Sequence, residues 1–363
     1  MKTLNGYIRG MGIGGWLTNY KRLALIPPER RRLLTIGDFE HFQTYITDSD
    51  VKNIASFGMD HIRLGFDQVV VEDAQAPYTY RETIFELIDR FIESCKRENI
   101  NVVLNLHKAI GCYCDFTESV SLFEDAELKN RFIRLWVEFE KRYHTEKNIV
   151  FELMNEVSNT KPELWNNLAT ETISEIRKLN PDRKIIIGST NYNSANTLND
   201  LKVFEDENII YTFHFYDPFE FTHQRGVLQS INAFYNREMP YPSDIERYRD
   251  FRTCIGDNAH MYDAFPVMDK TYLESALSPT LDFIKAHSDK ILYCGEFGTI
   301  RHCNINSRIN WFRDVIHFLL QNEIPYCVWN YLSTPYDGNR FSLVDDDTRQ
   351  ILSKELLSVI RGE

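Results

Sequence analysis

Glu156 and Glu296 stand 140 residues apart (296 minus 156), each near the end of an apolar run. One lies in Phe151-Glu152-Leu153-Met154-Asn155-Glu156, the other in Tyr293-Cys294-Gly295-Glu296-Phe297-Gly298. Two carboxylates brought face to face suit chemistry at a glycosidic bond. One, kept protonated, donates to the leaving oxygen; the other, kept ionised, attacks or activates water. Other apolar runs also end on polar or flat side chains: Arg63, His107, Asn155, His214, Tyr216 and Trp329. The histidines and the tyrosine can hydrogen-bond the carboxylates or a sugar. Arg63 can hold one glutamate as an anion, and Trp329 offers a face to the apolar side of a pyranose. Singly these are weak signals: a strand-end glutamate is more often an ion-pair member, a histidine or tryptophan more often core, and Arg63 could simply bridge two structural carboxylates. Their weight lies in the constellation.

Bringing them together requires elements that end at one place. Eight short runs rich in Val, Ile and Phe read as strands: 7–15, 61–66, 101–107, 149–156, 184–189, 209–216, 291–297 and 326–331. Amphipathic segments between and after them read as helices near 48–57, 82–99, 122–145, 162–179, 196–205, 279–288, 307–322 and 347–361. Eightfold βα alternation predicts one α/β domain over 1–363, a closed (β/α)8 barrel whose strand C-termini share one bowl. Gly10, Gly12, Gly14 and Gly15 only loosely resemble a dinucleotide turn, because Trp16 stands where a pyrophosphate would approach. Two segments exceed ordinary barrel loops: 21–47, with Arg30-Arg31-Arg32, and 218–278, long enough for a helical cap after strand six.

Composition narrows the partners. The 363 residues carry 41 Lys plus Arg against 53 Asp plus Glu, a net charge of -12, which argues against nucleic acid. No apolar run is long enough to span a membrane. Seven scattered cysteines and an N-terminus without an apolar stretch predict reduced thiols in the cytoplasm, with secretion or release as the alternative. His107, Cys112 and Cys114 do not make a closed metal set, and the two cysteines read as surface thiols. Asp345-Asp346-Asp347 reads as the cap of the last helix. No metal and no cofactor is expected, and the chain is expected to be a monomer.

The ordered set Arg63, His107, Asn155-Glu156, His214-Phe215-Tyr216, Glu296 and Trp329 resembles glycoside hydrolase family 5, a family of (β/α)8 retaining glycosidases. The resemblance spans essentially the whole chain. The strings GGW, DHIRLGFD, NYNS, FHFYDPF, FTHQ and LYCGEFG look closer still to clostridial single-domain endoglucanases of that family, which carry a helical insertion after strand six. The resemblance implies Glu156 as general acid/base and Glu296 as nucleophile, working through a covalent glycosyl-enzyme with net retention. It further implies that Asn155 binds the sugar 2-hydroxyl, that Tyr216 and Arg63 hold the nucleophile, that His214 neighbours the acid, that His107 binds the −1 sugar and that Trp329 floors that subsite. Trp16 and Asn19 join them as substrate-contact candidates; for Trp16, as for Tyr20 and Trp165, packing is the competing reading. Where relatives often show His-His after strand three, this chain has His107-Lys108. The implied substrate is a β-1,4-linked or mixed-linkage glucan attacked within the chain. The alternative is the same machinery acting on glucomannan, xyloglucan or short cellodextrins, with segment 21–47 as a wall across one end of the cleft.

Overall fold

The computed structural model describes residues 4–18, 20–21, 34–113, 120–226, 230–335 and 337–363. Eight parallel strands close into a barrel: β1 Arg9–Leu17, β2 His61–Asp67, β3 Asn101–Lys108, β4 Ile149–Glu152, β5 Ile185–Gly188, β6 Ile209–Phe215, β7 Ile291–Phe297 and β8 Tyr326–Val328. Each pairs with its neighbours in chain order, and β1 closes on β8. All eight runs expected from the sequence are strands. β4 is shorter than expected, but Leu153 N still donates to Ile186 O at 3.1 Å and Asn155 N to Leu106 O at 2.9 Å, so the chain stays laced to both neighbours up to the barrel mouth.

The helices follow the periodic segments, with differences that local chemistry explains. Asp125 accepts from Glu127 N and Leu128 N, so the third expected helix starts at Ala126 and not at 122. The fifth, expected over 196–205, is a short 3-10 turn, Ala195–Asp200, in a stretch of Asn, Thr and Asp whose side chains compete with the backbone. The sixth runs Lys270–Ala286 straight through Pro279. Proline removes the amide that would bond Ser275 O, and Ser278 Oγ donates to that carbonyl instead, at 2.7 Å. The last helix is Lys354–Ile360, capped by Ser353 and not by the aspartates; Asp345 accepts from Thr348 N at 2.9 Å and closes a turn of its own. Between β6 and Lys270 lie short helices, the longest Ile245–Cys254, and a two-residue ribbon in which Ser243–Asp244 pairs antiparallel with Val267–Met268. In segment 21–47 the described part contains the helix Ile36–Thr44, while Arg30-Arg31-Arg32 lies outside the described residues.

Inside the barrel the residues fall into layers. At the N-terminal end Val103, Val150, Ile186, Ile210 and Ile291 form an apolar plug with Leu4, Tyr7, Tyr293 and Cys327. The glycines of β1 give room for rings rather than for a phosphate. A Cβ on Gly10 would lie 2.1 Å from His61 Nε2, on Gly12 2.8 Å from Trp329 Cε3 and on Gly14 2.6 Å from Trp329 Cη2. Cys112 is buried, contrary to its reading as a surface thiol, and Cys114 lies outside the described residues. Among the described residues, no helix is long and apolar enough to cross a membrane.

Candidate active site

Above the plug, strand alternation turns the next inward residues into a buried charged layer. Arg63 of β2 is fully buried at its centre. Its Nε and Nη2 donate to the two oxygens of Glu152 at 2.6 and 2.8 Å, Nη2 also to Asn155 Oδ1 at 2.8 Å, and Nη1 to Glu296 Oε1 at 2.5 Å. A charge at this depth is tolerable only when paired, and one guanidinium here serves two carboxylates. Arg63 thus holds Glu296 as the resemblance implied, and bridges it to Glu152, which the sequence reading left without a role.

Glu296, at the end of β7, is 5% exposed. Its second oxygen accepts from Tyr216 OH at 2.9 Å. Burial pushes its pKa above the ordinary carboxylate value and Glu156 adds to the rise, while His214 and Arg63 oppose it. Burial also holds the Tyr216 phenol well above its usual pKa, so it stays a donor. Glu156 is more open, its side chain 19% exposed, and lies 2.8 Å from His214 Nδ1. His214 is pushed down to about 4 by burial, so its imidazole is neutral. Its Nε2 lies 3.4 Å from Asn193 Nδ2, a donor, which assigns the ring proton to Nδ1 and makes His214 a donor to Glu156.

One oxygen each from Glu156 and Glu296 and a nitrogen of His214 lie within 4.8 Å of one another. Among the described residues this trio could hold a metal ion, but both oxygens of Glu296 are already engaged by Arg63 and Tyr216. So close an approach of one oxygen from each glutamate suits the pairing of retaining glycosidases, whose carboxyl groups lie about 5–5.5 Å apart, better than that of inverting ones, whose groups stand roughly 6.5–9.5 Å apart around a water.

His107 is buried and lies 3.5 Å, through Nε2, from Asn155 Nδ2. Burial and the nearby cations Lys108 and Arg63 keep it uncharged. Its ring stacks on Trp329 at 5.5 Å and 14°, and Trp329, half-buried over Gly12 and Gly14, forms one side of the site. Eight candidates therefore meet at the C-terminal mouth: Arg63, His107, Asn155, Glu156, His214, Tyr216, Glu296 and Trp329. Trp16 does not join them. The strand register shifts between Ile13 and Leu17 and Gly15 takes φ +75°, which breaks the inward alternation of Gly10, Gly12 and Gly14. Trp16 turns into the helix layer, 2% exposed, donating to Phe42 O at 2.7 Å and packing on Phe91; its reading as a sugar contact is corrected to core. Trp165 and Tyr20 are likewise packed inside, and Asn19 lies outside the described residues.

Two residues were missed. Glu152 is the first, signalled by its position two residues after Val150 on the inward face of β4. Asn193 is the second. Asn191, Tyr192 and Asn193 all have left-handed backbone, with φ of 56°, 60° and 56°, which folds the loop after β5 back under the site. Asn193 Nδ2 donates to Asn155 O at 2.5 Å, and its side chain fills the space that a Cβ on Gly188 would occupy. The string NYNS carried the signal, since asparagine tolerates this conformation better than most residues.

A closed barrel with two carboxylates facing each other at its mouth, one buried and one partly open, defines a class, the (β/α)8 hydrolases that work with a carboxylate pair. Within that class the chain belongs to the cellulase family, glycosyl hydrolase family 5, whose model matches residues 33–334. It is 34% identical over 353 residues to Endoglucanase C of Acetivibrio thermocellus, covering 97% of each chain. It is 30% identical over 313 residues to Cellodextrinase A of Ruminococcus flavefaciens, covering 85% of this chain and 80% of that one. Among solved structures, endoglucanase Cel5A of Thermotoga maritima superposes with a TM-score of 0.74 at 25% identity, covering 98% of this chain and 97% of that one.

Proposed function

We propose that the protein is an endo-acting β-1,4-glucanase that hydrolyses glucan chains with retention, using Glu296 as nucleophile and Glu156 as acid/base. The observation that carries the assignment of roles is the close approach of Glu156 and Glu296, within 4.8 Å through an oxygen of each. Endo action on β-1,4-glucan is supported by membership of the cellulase family and by the 34% identity to an endoglucanase.

The geometry divides the work. Arg63 and Tyr216 fix both oxygens of Glu296, so the carboxylate is oriented before substrate arrives. Its attack on the anomeric carbon forms the glycosyl-enzyme while Glu156 protonates the leaving oxygen. Because His214 donates to Oε1 of Glu156, the acidic proton belongs on Oε2, from which it transfers to the leaving oxygen. In the second step Glu156, now ionised, takes a proton from water, which attacks the same carbon and releases Glu296. Asn155, held by Arg63 and Asn193, binds the 2-hydroxyl of the sugar in this reading, the role the family resemblance implies.

The test is Glu296→Gly. It removes turnover of a cellotetraose substrate and regains turnover of an aryl cellobioside when azide is added, giving a glycosyl azide of inverted configuration. Wild-type turnover in this variant, or inverted product from the wild type, removes the assignment. A second reading, preference for short cellodextrins, draws on the 30% identity to a cellodextrinase. Rapid viscosity loss of carboxymethylcellulose supports the first reading, and activity confined to cellotetraose the second.

A further inference from the structure

We infer that Glu152 is a positioning residue that sets the strength of the nucleophile, by pairing with Arg63 so that the guanidinium orients Glu296 without fully neutralising it. The inference rests on Glu296 being the nucleophile.

Arg63 sits between two carboxylates, and it does not share itself evenly. Glu152 takes two of its N–H groups in the fork geometry that suits a carboxylate, at 2.6 and 2.8 Å, whereas Glu296 takes one. The Glu152 side chain is 0% exposed, as is that of Arg63, so water screens neither. An arginine facing Glu296 alone, at 2.5 Å in a dry site, would hold it as a strongly stabilised anion. Such a carboxylate departs readily from a sugar but attacks poorly. Glu152 cancels much of that positive field and locks the guanidinium plane, leaving Glu296 oriented and still basic.

The groups facing Glu296 are few enough for this to be read. They are Arg63 from β2, Glu156 beyond β4, His214 from β6 with Tyr216 beyond it, and the buried thiols Cys294 and Cys327 from β7 and β8. The imidazole and the thiols are uncharged when buried, so Arg63 is the cation and Glu152 the group that moderates it.

The experiment compares Glu152→Gln and Glu152→Asp with the wild type in the pH dependence of kcat/KM on aryl cellobiosides of differing leaving-group ability. Glu152→Gln keeps the shape and removes the charge. Its acidic limb moves to lower pH by about one unit, and its kcat/KM on the poorest leaving group falls about tenfold or more, the size of change that one unit of basicity can give. Glu152→Asp keeps the charge and leaves the limb in place. A Glu152→Gln enzyme whose limb coincides with that of the wild type overturns the inference, because a purely structural role would lower the amount of folded enzyme without moving the limb. If the Gln variant does not fold, Glu152→Asp decides. Its shorter side chain loosens the fork, so kcat/KM falls most on the poorest leaving group; an equal fall on every substrate, which loss of folded enzyme alone would give, or wild-type kcat/KM, overturns the inference. Glu296→Gly with azide runs beside both. Inactivity rescued by azide together with an unmoved Glu152→Gln limb removes only the role of Glu152, whereas wild-type turnover of Glu296→Gly removes the nucleophile assignment itself.

Discussion

The two halves of the barrel interior are built by the same strands and do opposite things. In the lower half, Val103, Val150, Ile186, Ile210 and Ile291 fill volume and form no hydrogen bonds through their side chains. Two residues further along β4 the inward position is Glu152, and along β6 it is Thr212 and then His214. There the interior is held by directed contacts at 2.5–2.9 Å among Arg63, Glu152, Asn155, Tyr216 and Glu296. The plug gains stability from apolar area and close packing. The charged layer gains little by that measure, since removing ions from water offsets most of their attraction. What it supplies is a carboxylate that is already oriented.

The sharpest way to break this contrast is Glu156→Ala. Loss of general acid/base assistance lowers kcat/KM on cellotetraose by about 10²–10⁴-fold and much less on an aryl cellobioside with a good leaving group, while thermal stability stays near wild type because Glu156 is the more exposed of the pair. Equal losses on both substrates would place the acid elsewhere. Arg63→Met comes next. It leaves Glu152 and Glu296 without a counter-ion and lowers unfolding free energy by about 3–5 kcal/mol, read by urea denaturation. Combining it with Glu152→Leu recovers much of that stability without recovering activity. If activity returned as well, the layer would be structural, and the contrast would fail.

A third prediction uses protons. Burial pushes His214 down to about 4 and His223 down to about 3, and His107 lies well below its ordinary value. Below pH 6.5 the unfolded chain therefore takes up protons that the folded chain refuses. The sign follows: the contribution of these histidines is full above pH 6.5 and falls as the pH drops from there toward 4, by about 2 kcal/mol each for His214 and His223 at pH 5. His223 stacks on Phe219 at 3.9 Å and stands edge-on to Tyr216, one ring removed from Glu296. His223→Gln lowers the pH slope of unfolding free energy by up to about one proton over pH 5–6.5. An unchanged slope would mean that this histidine is protonated in the folded state.

How far these features are legible in the sequence follows from the same contrast. The strands are visible because apolar runs of six to nine residues alternate with helical periodicity, and the mouth because polar residues interrupt those runs at their ends. Arg63, Glu156 and Glu296 are costly to bury and therefore conspicuous. Glu152 is just as costly, but it falls within its run, and its meaning depends on knowing that β4 and β2 place it against Arg63. Trp16 misled because regular alternation along Gly10, Gly12 and Gly14 points it inward, and the irregularity at Gly15 that turns it out leaves no trace in residue types except the glycine itself. Asn193 depends on three consecutive left-handed residues, a backbone event that periodicity does not register. The expected start of the helix before β7 was late because proline usually ends a helix, and the compensating Ser278 hydroxyl is visible only in three dimensions.

The smallest effect tests the lower half by itself. Ile210 is 0% exposed, part of the plug, and two residues below Thr212 and four below His214 on β6. Ile210→Val removes one methylene and opens a small cavity, lowering unfolding free energy by about 0.5–1.5 kcal/mol. Because the side chain touches volume and not charge, kcat and KM measured well below the unfolding temperature stay at wild-type values. The ledger of the two halves then separates: a change of stability with no change in rate below, and a change of rate with little change of stability at Glu156 above. Should Ile210→Val lower kcat in proportion to its lost stability, the plug would be setting the geometry of the carboxylates through β6, and the division between filling and chemistry would have to be drawn higher in the barrel, at Thr212.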